Sequence, residues 1–335
     1  MEVTMGKIGR FTDEAARQEY LRTYRGLEAL WPVPAEQADV PTRFGTTHVR
    51  WSGAGGGTPL VLVHGLNGNG LSWYRDVETL ARGRVTYAPD TIGTAGLSVQ
   101  TAPVGESDVA TWFAETLDGL GLDRVHVMGE SNGAWHATLA ALGAPQRVAS
   151  LTLVEPNGVF VRTPWRSLLR FVRLASRLTE AGWRAMGEWL TPGVTIGHED
   201  HAVARAAFGY RRALGWARVL TDAELASLTV PVLALFGGAS VLSAPEASAR
   251  RIDERVPGAE THVYPGRGHG VLGELRDEVL TRVVEFLERH DEGHGPGVTE
   301  ARPTMVPPTS ATRNVAGTRP TGRSTPPCSS AKWAR

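Results

Sequence analysis

The 335-residue chain holds one cysteine, Cys328. No intramolecular disulfide, Cys-x-x-Cys redox pair or cysteine zinc site can therefore form within it. Lysine is almost as scarce, with only Lys7 and Lys332 near opposite ends. That argues against a Schiff-base lysine, a Ser–Lys dyad and a Walker-type phosphate loop. Neither sign of charge is in excess, at 35 Lys+Arg against 35 Asp+Glu. A general nucleic-acid binder usually carries a basic surplus, so that class is set aside. No apolar run approaches the ~20 residues that a membrane span needs. Residues 1–10 also lack the apolar stretch of a secretion signal. These absences lead to the expectation of a soluble, cytoplasmic protein with no nucleic-acid or membrane partner.

What is present is a core. Hydrophobic residues make up 41% of the chain, enough for a packed domain over most of its length. The stretch 291–335 differs, with seven prolines, many Ser, Thr and Gly, and one aromatic, Trp333. Such a composition buries too little apolar surface to offset chain entropy, so it reads as a disordered tail. A chain ended at His290 is expected to melt at an unchanged temperature.

Short apolar runs at 60–63, 85–88, 125–128, 151–154, 230–236 and 261–264 alternate with helical patterns at 73–81, 108–120, 132–142, 245–255 and 274–289. The runs are rich in Val and Leu and mostly lack polar alternation, as strands covered on both faces do. The alternation predicts an α/β fold with a doubly wound, mostly parallel sheet. An amphipathic helix over 12–31 and an edge strand over 46–51 precede it. Residues 156–228 interrupt it with helical pieces at 165–178, 180–190 and 202–217 and no convincing strand. The domain reading is an N-terminal lead-in (1–43), a core (44–155 and 229–290), a helical cap (156–228) and the tail.

The sharpest motif is Gly129-Glu130-Ser131-Asn132-Gly133, after one strand and before one helix. A G-x-S-x-G turn in that context exposes a serine oxygen and aims helix N-terminal N–H groups at developing negative charge. A second is Leu62-Val63-His64-Gly65-Leu66-Asn67-Gly68 at another strand end. Its Leu66 N–H fits an oxyanion donor, beside that of Asn132, with His64 bracing the loop. A third is Pro265-Gly266-Arg267-Gly268-His269-Gly270, which places His269 at a strand's C-terminal end, in reach of Ser131 as general base and then acid.

At these residues the chain resembles the α/β-hydrolase family over about 44–290. The resemblance extends to Asp90, Gly93, Gly96 and Ser98, where Asp90 is expected to be structural. Residues 31–34 and the leading helix resemble actinobacterial carboxylesterase-like members. The family's acid usually follows the strand at 232–236, but here that place reads Gly237-Gly238-Ala239-Ser240, with no carboxylate before Glu246. Glu155 ends the neighbouring strand, a position that some members, including haloalkane dehalogenases, resemble in placing their acid there. The expected triad is Ser131, His269 and Glu155, with a Ser131–His269 dyad and water as the alternative.

The resemblance implies a serine hydrolase for a small-molecule ester, thioester or related acyl substrate, with no metal and no organic cofactor. Two other readings stay open. One is a non-hydrolytic enzyme of the same fold (acyltransferase, cyclase or cofactor-free haloperoxidase-like), and the other is a non-catalytic binding protein. His198-Glu199-Asp200-His201 has its histidines three apart rather than four, so it reads as a polar helix start and not a metal motif. Gly266, Gly268, Gly270 and Gly273 open no βαβ unit, so they do not read as a dinucleotide site. Arg166, Arg170, Arg173 and Arg177 form a helix stripe read as a solvated face, with an acidic substrate or carrier protein as the functional alternative. Trp165, Trp183, Trp189, Phe208 and Trp216 either line an apolar pocket or pack the cap.

Overall fold

The computed structural model describes residues 7–175 and 180–291. Its strands are β1 (Arg10–Phe11), β2 (Glu36–Thr42), β3 (Gly45–Ser52), β4 (Ala54–Val63), β5 (Arg82–Pro89), β6 (Val99–Gln100), β7 (Val125–Glu130), β8 (Val148–Val154), β9 (Tyr210–Arg211), β10 (Val232–Gly237) and β11 (Glu260–Tyr264). The main sheet runs β11-β10-β8-β7-β4-β5-β3-β2, with β6 also on β3. Every pairing from β11 to β5 is parallel, and β3 and β2 are antiparallel.

The central strands are continuous buried runs because both faces are covered. All seven residues of β8, Val-Ala-Ser-Leu-Thr-Leu-Val, are buried. On one face the helices Val109–Leu120, Asn132–Gly143 and Pro245–Arg255 contribute Trp112, Phe113, Trp135 and Ile252 to one apolar cluster. On the other, Trp73 and the helix Arg276–Arg289 contribute a second, with Val279, Val283 and Phe286 on one stripe. An aromatic or long aliphatic side chain fully buried in this way stabilises by roughly 1.5–3 kcal/mol before entropy is counted. The expected mostly parallel α/β fold is what forms.

Several details differ from the sequence reading. β2 was not expected, and it pairs with β3 along seven residue positions. The expected helix over 73–81 is a 3-10 turn, Gly70–Trp73, and a separate short helix, Val77–Leu80. In the insertion, helices form at Trp165–Ala175, Glu180–Leu190, His198–Ala206 and Asp222–Ala226. The expected helix at 202–217 stops at Ala206, because β9 pairs with β1 from the chain's start. His198–Asp200 does open a helix, and Asp200 accepts from Tyr74 Oη–H at 3.0 Å and pairs with Arg75 at 2.8 Å. Trp183 packs edge-on against Phe208, whereas Trp165 and Trp216 are exposed. Residues 177 and 292–335 lie outside the described part, so Arg177 and nearly all of the expected tail do too.

The first residue assigned to that tail belongs to the fold. The Asp291 side chain is buried, ion-paired to Arg84 at 2.7 Å and 3.0 Å from His126 Nε2. It also accepts from the Thr58 N–H at 3.0 Å, tying β4, β5 and β7 together. The ordered fold therefore extends past His290, because a buried arginine on β5 requires a carboxylate.

Candidate active site

Parallel strands all point their C-terminal ends one way, and in an open α/β sheet the site forms there. Adjacent strands β11, β10, β8, β7 and β4 are followed by His269, Ser240, Glu155, Ser131 and Leu66 respectively. Ser131 stands between β7 and the helix Asn132–Gly143 with φ 52° and ψ −115°. That φ is strained for a non-glycine residue, and it lifts the side chain out of the turn. The Ser131 N–H is held by the Val154 carbonyl at 2.9 Å. The flanking glycines are obligatory. A Cβ on Gly129 would strike the Gly133 carbonyl, and one on Gly133 would strike the carbonyls of Val63 and His64.

The three residues singled out by sequence come together. Ser131 Oγ lies 3.0 Å from His269 Nε2, and His269 Nδ1 lies 3.0 Å from Glu155 Oε2. Glu155 is fully buried and itself has positive φ, 49°. Its Oε1 accepts from the Gly237 N–H, and its Oε2 accepts from Ser243 Oγ–H at 2.8 Å. The carboxylate thus reaches across from the end of β8 to the end of β10, where no acid follows. A buried charge needs such donors, since desolvation otherwise disfavours it. The imidazole sits between an acceptor for Nδ1–H and a hydroxyl donor to Nε2, which fixes one neutral tautomer.

Ser243 was not anticipated, because a serine eighty-eight residues from its partner leaves no local signal. Ser240 Oγ also faces His269 Nδ1, at 3.3 Å. Ser243→Ala removes a donor from a buried carboxylate and is expected to lower kcat/KM roughly tenfold. Ser240→Ala leaves the Glu155 contact in place and is expected to stay within about threefold of wild type. Steady-state kinetics on one soluble ester would check both.

Leu66 and Asn132 flank Ser131 from β4 and from the helix start. Their N–H groups make no hydrogen bond to another described residue. His64 is buried. Its Nδ1–H donates to the Gly65 carbonyl at 3.0 Å and its Nε2 accepts from the Thr91 N–H at 3.1 Å. Burial lowers its pKa, consistent with a neutral ring that braces the loop. Asp90 is structural as expected, accepting from the Gly70 N–H at 2.7 Å and the Leu97 N–H at 2.6 Å.

Sequence reasoning passed over Glu130 as a titrating group. Burial, and then the nearby Asp76 charge, pushes its carboxyl up to about 7. A carboxyl whose folded pKa is raised contributes stability below its unfolded value, about 4.5, that is lost as pH rises through about 7. Glu130→Gln should escape that loss. The melting temperature of the variant minus that of wild type is expected to grow by several degrees between those limits. Calorimetry across this range would contradict the assignment if the difference stayed flat.

The α/β hydrolase fold family matches residues 58–186 of the chain. The uncharacterized carboxylesterase nap of Bacillus subtilis is 32% identical over 291 residues, covering 84% of this chain and 95% of that protein. The crystal structure of carboxylesterase CesB (YbfK) from Bacillus subtilis superposes with a TM-score of 0.75 at 29% identity, covering 82% of this chain and 99% of that one. The crystal structure of naproxen esterase (carboxylesterase NP) from Bacillus subtilis gives 0.74 at 29% identity, covering 81% and 98%.

Proposed function

The chain belongs to the α/β-hydrolase family as a carboxylesterase-like hydrolase, and on that premise we propose that it cleaves small carboxylic esters through an acyl-enzyme on Ser131. The observation that carries this reading is the continuous hydrogen-bond line from Ser131 Oγ through His269 to buried Glu155.

Ser131 Oγ attacks the ester carbonyl carbon while its proton passes to His269 Nε2. Glu155 stabilises the imidazolium that results and keeps the ring in register. The tetrahedral oxyanion takes hydrogen bonds from the N–H groups of Leu66 and Asn132, the latter strengthened by the helix N-terminus. His269 then returns the proton to the leaving alkoxide, and alcohol departs. Water repeats the sequence against the acyl-enzyme, releasing the carboxylic acid and restoring the Ser131 hydroxyl. The insertion 156–228 acts as the cap and, with specificity set there, thioesters remain within the same chemistry.

A panel of p-nitrophenyl esters of increasing acyl length tests the reading. Turnover that depends on acyl length and disappears in Ser131→Ala supports it. Absence of turnover on every ester, with the protein folded, would overturn it.

A further inference from the structure

The insertion carries an unusual face. The helix Trp165–Ala175 turns Ser167, Phe171 and Leu174 partly inward and leaves Trp165, Leu168, Leu169 and Val172 outward. These four are 65%, 50%, 60% and 56% exposed. Their spacing of three, four and seven makes them one continuous stripe. Trp216, also exposed, stands edge-on to Phe171 of this helix with ring centroids 6.1 Å apart. Contiguous exposed apolar surface of this kind usually marks a contact with something else.

Charge identifies what. Arg166, Arg170 and Arg173 run along the same helix beside the stripe, and no Asp or Glu occurs between 156 and 179, against five arginines. Arg170 and Arg173 meet Leu169 and Leu174 around an open hollow of about 490 Å³. In a chain of zero formal net charge, that concentration is local. The chain's own residues 292–335 hold six basic and two acidic residues, so they carry the same sign. A second copy meeting this helix with its own would bring arginine against arginine.

We propose that this helix seats the enzyme on an anionic bilayer, its Trp and Leu side chains entering the headgroup boundary and its arginines meeting lipid phosphates. An apolar stripe with aromatic and aliphatic residues, edged by arginines, is the pattern of a helix lying in a membrane interface. Such a helix needs no spanning length, so the lack of a long apolar run does not exclude it. No helix among the described residues is long and apolar enough to cross a membrane. Binding by this helix is reversible and depends on salt.

Flotation with vesicles of pure phosphatidylcholine, or with roughly one-third phosphatidylglycerol, tests this at low salt and at about 0.5 M NaCl. Wild type is expected to favour the anionic vesicles at least about tenfold at low salt, and to lose most of that preference at high salt. Leu168→Asp with Leu169→Asp, and separately Arg166→Gln with Arg170→Gln and Arg173→Gln, should each cut binding about tenfold or more. The melting temperature should stay within a few degrees of wild type in both, which reports that the fold is intact. If the aspartate pair fails to fold, the glutamine set carries the test alone. No preference for anionic vesicles, or a preference that survives both sets of substitutions, overturns the proposal. So does an apolar stripe whose loss only converts a dimer to a monomer in sedimentation, or only abolishes binding of an acidic carrier protein.

Discussion

Glu155→Gln is expected to lower kcat by about 10²–10⁴ with the fold intact. The change keeps the side chain's shape and its buried position. It swaps one carboxylate oxygen for an amide that donates. Facing His269 Nδ1 across the 3.0 Å contact, that amide favours the tautomer with the proton on Nε2. An Nε2–H has no lone pair for the Ser131 proton, so the base is lost along with the charge that stabilises imidazolium. Gly237 N–H and Ser243 Oγ–H still need an acceptor, and the remaining amide oxygen serves only one of them well. Ser131→Ala and His269→Ala should fall at least as far. Glu155→Gln combined with His269→Ala should be far from additive, because the three act as a unit. Retention of more than about a third of wild-type kcat/KM, with folding intact, would mean that the residue is not the acid and that a Ser131–His269 dyad operates.

Asp291→Ala should destabilise the fold by about 3–5 kcal/mol, although it lies away from the site. Removing the carboxylate strands a buried guanidinium. Among the described residues Arg84 then keeps the Thr58 carbonyl at 3.0 Å as its side-chain partner, and His126 Nε2 loses its acceptor while Nδ1 still meets Ser150. At roughly 2–4 °C per kcal/mol for a domain somewhat smaller than this one, the melting temperature should fall on the order of 10 °C. A chain ended at His290 should show a similar loss, in place of the unchanged melting expected from sequence. The pH dependence follows in sign. Burial works against the Asp291 carboxylate, but hydrogen bonds from Arg84 and His126 more than offset it and hold its pKa below the usual range. Its contribution is thus full above the unfolded carboxylate value and lost as pH falls through the lowered one, so the deficit of Asp291→Ala should shrink in acid. His126, depressed to about 4 by burial, adds a separate acid sensitivity as pH drops from about 6.5 towards that value. An Asp291→Ala protein that melts within about a degree of wild type would show that the cluster contributes little.

Continuous apolar runs and the 129–133 turn were legible because their signals are local: period, glycine placement and a serine between strand and helix. Glu155 was a candidate through the family resemblance, which implies an acid at a strand end that 237–240 lacks and that the end of the neighbouring strand supplies. β2 was not legible, since Glu-Gln-Ala-Asp-Val-Pro-Thr is polar and carries Pro41, which an edge strand tolerates but whose sequence signal is that of a loop. The break at Ala206 depended on Arg10 and Phe11 pairing two hundred residues away. The N-terminal helix was predicted, yet not its role: Tyr20, Tyr24 and Leu27 pack with Val203 and Ala207 of the insertion. Asp291 was hidden because composition averaged over 291–335 masks one buried ion pair.

The central claim is that Ser131 is the nucleophile, and mass spectrometry of the intact and digested protein after reaction with a fluorophosphonate tests it most directly. A single adduct on the peptide containing Ser131, formed in proportion to loss of ester turnover and absent in Ser131→Ala, is the predicted result. An adduct on another residue, or full turnover with Ser131 fully modified, would contradict the account.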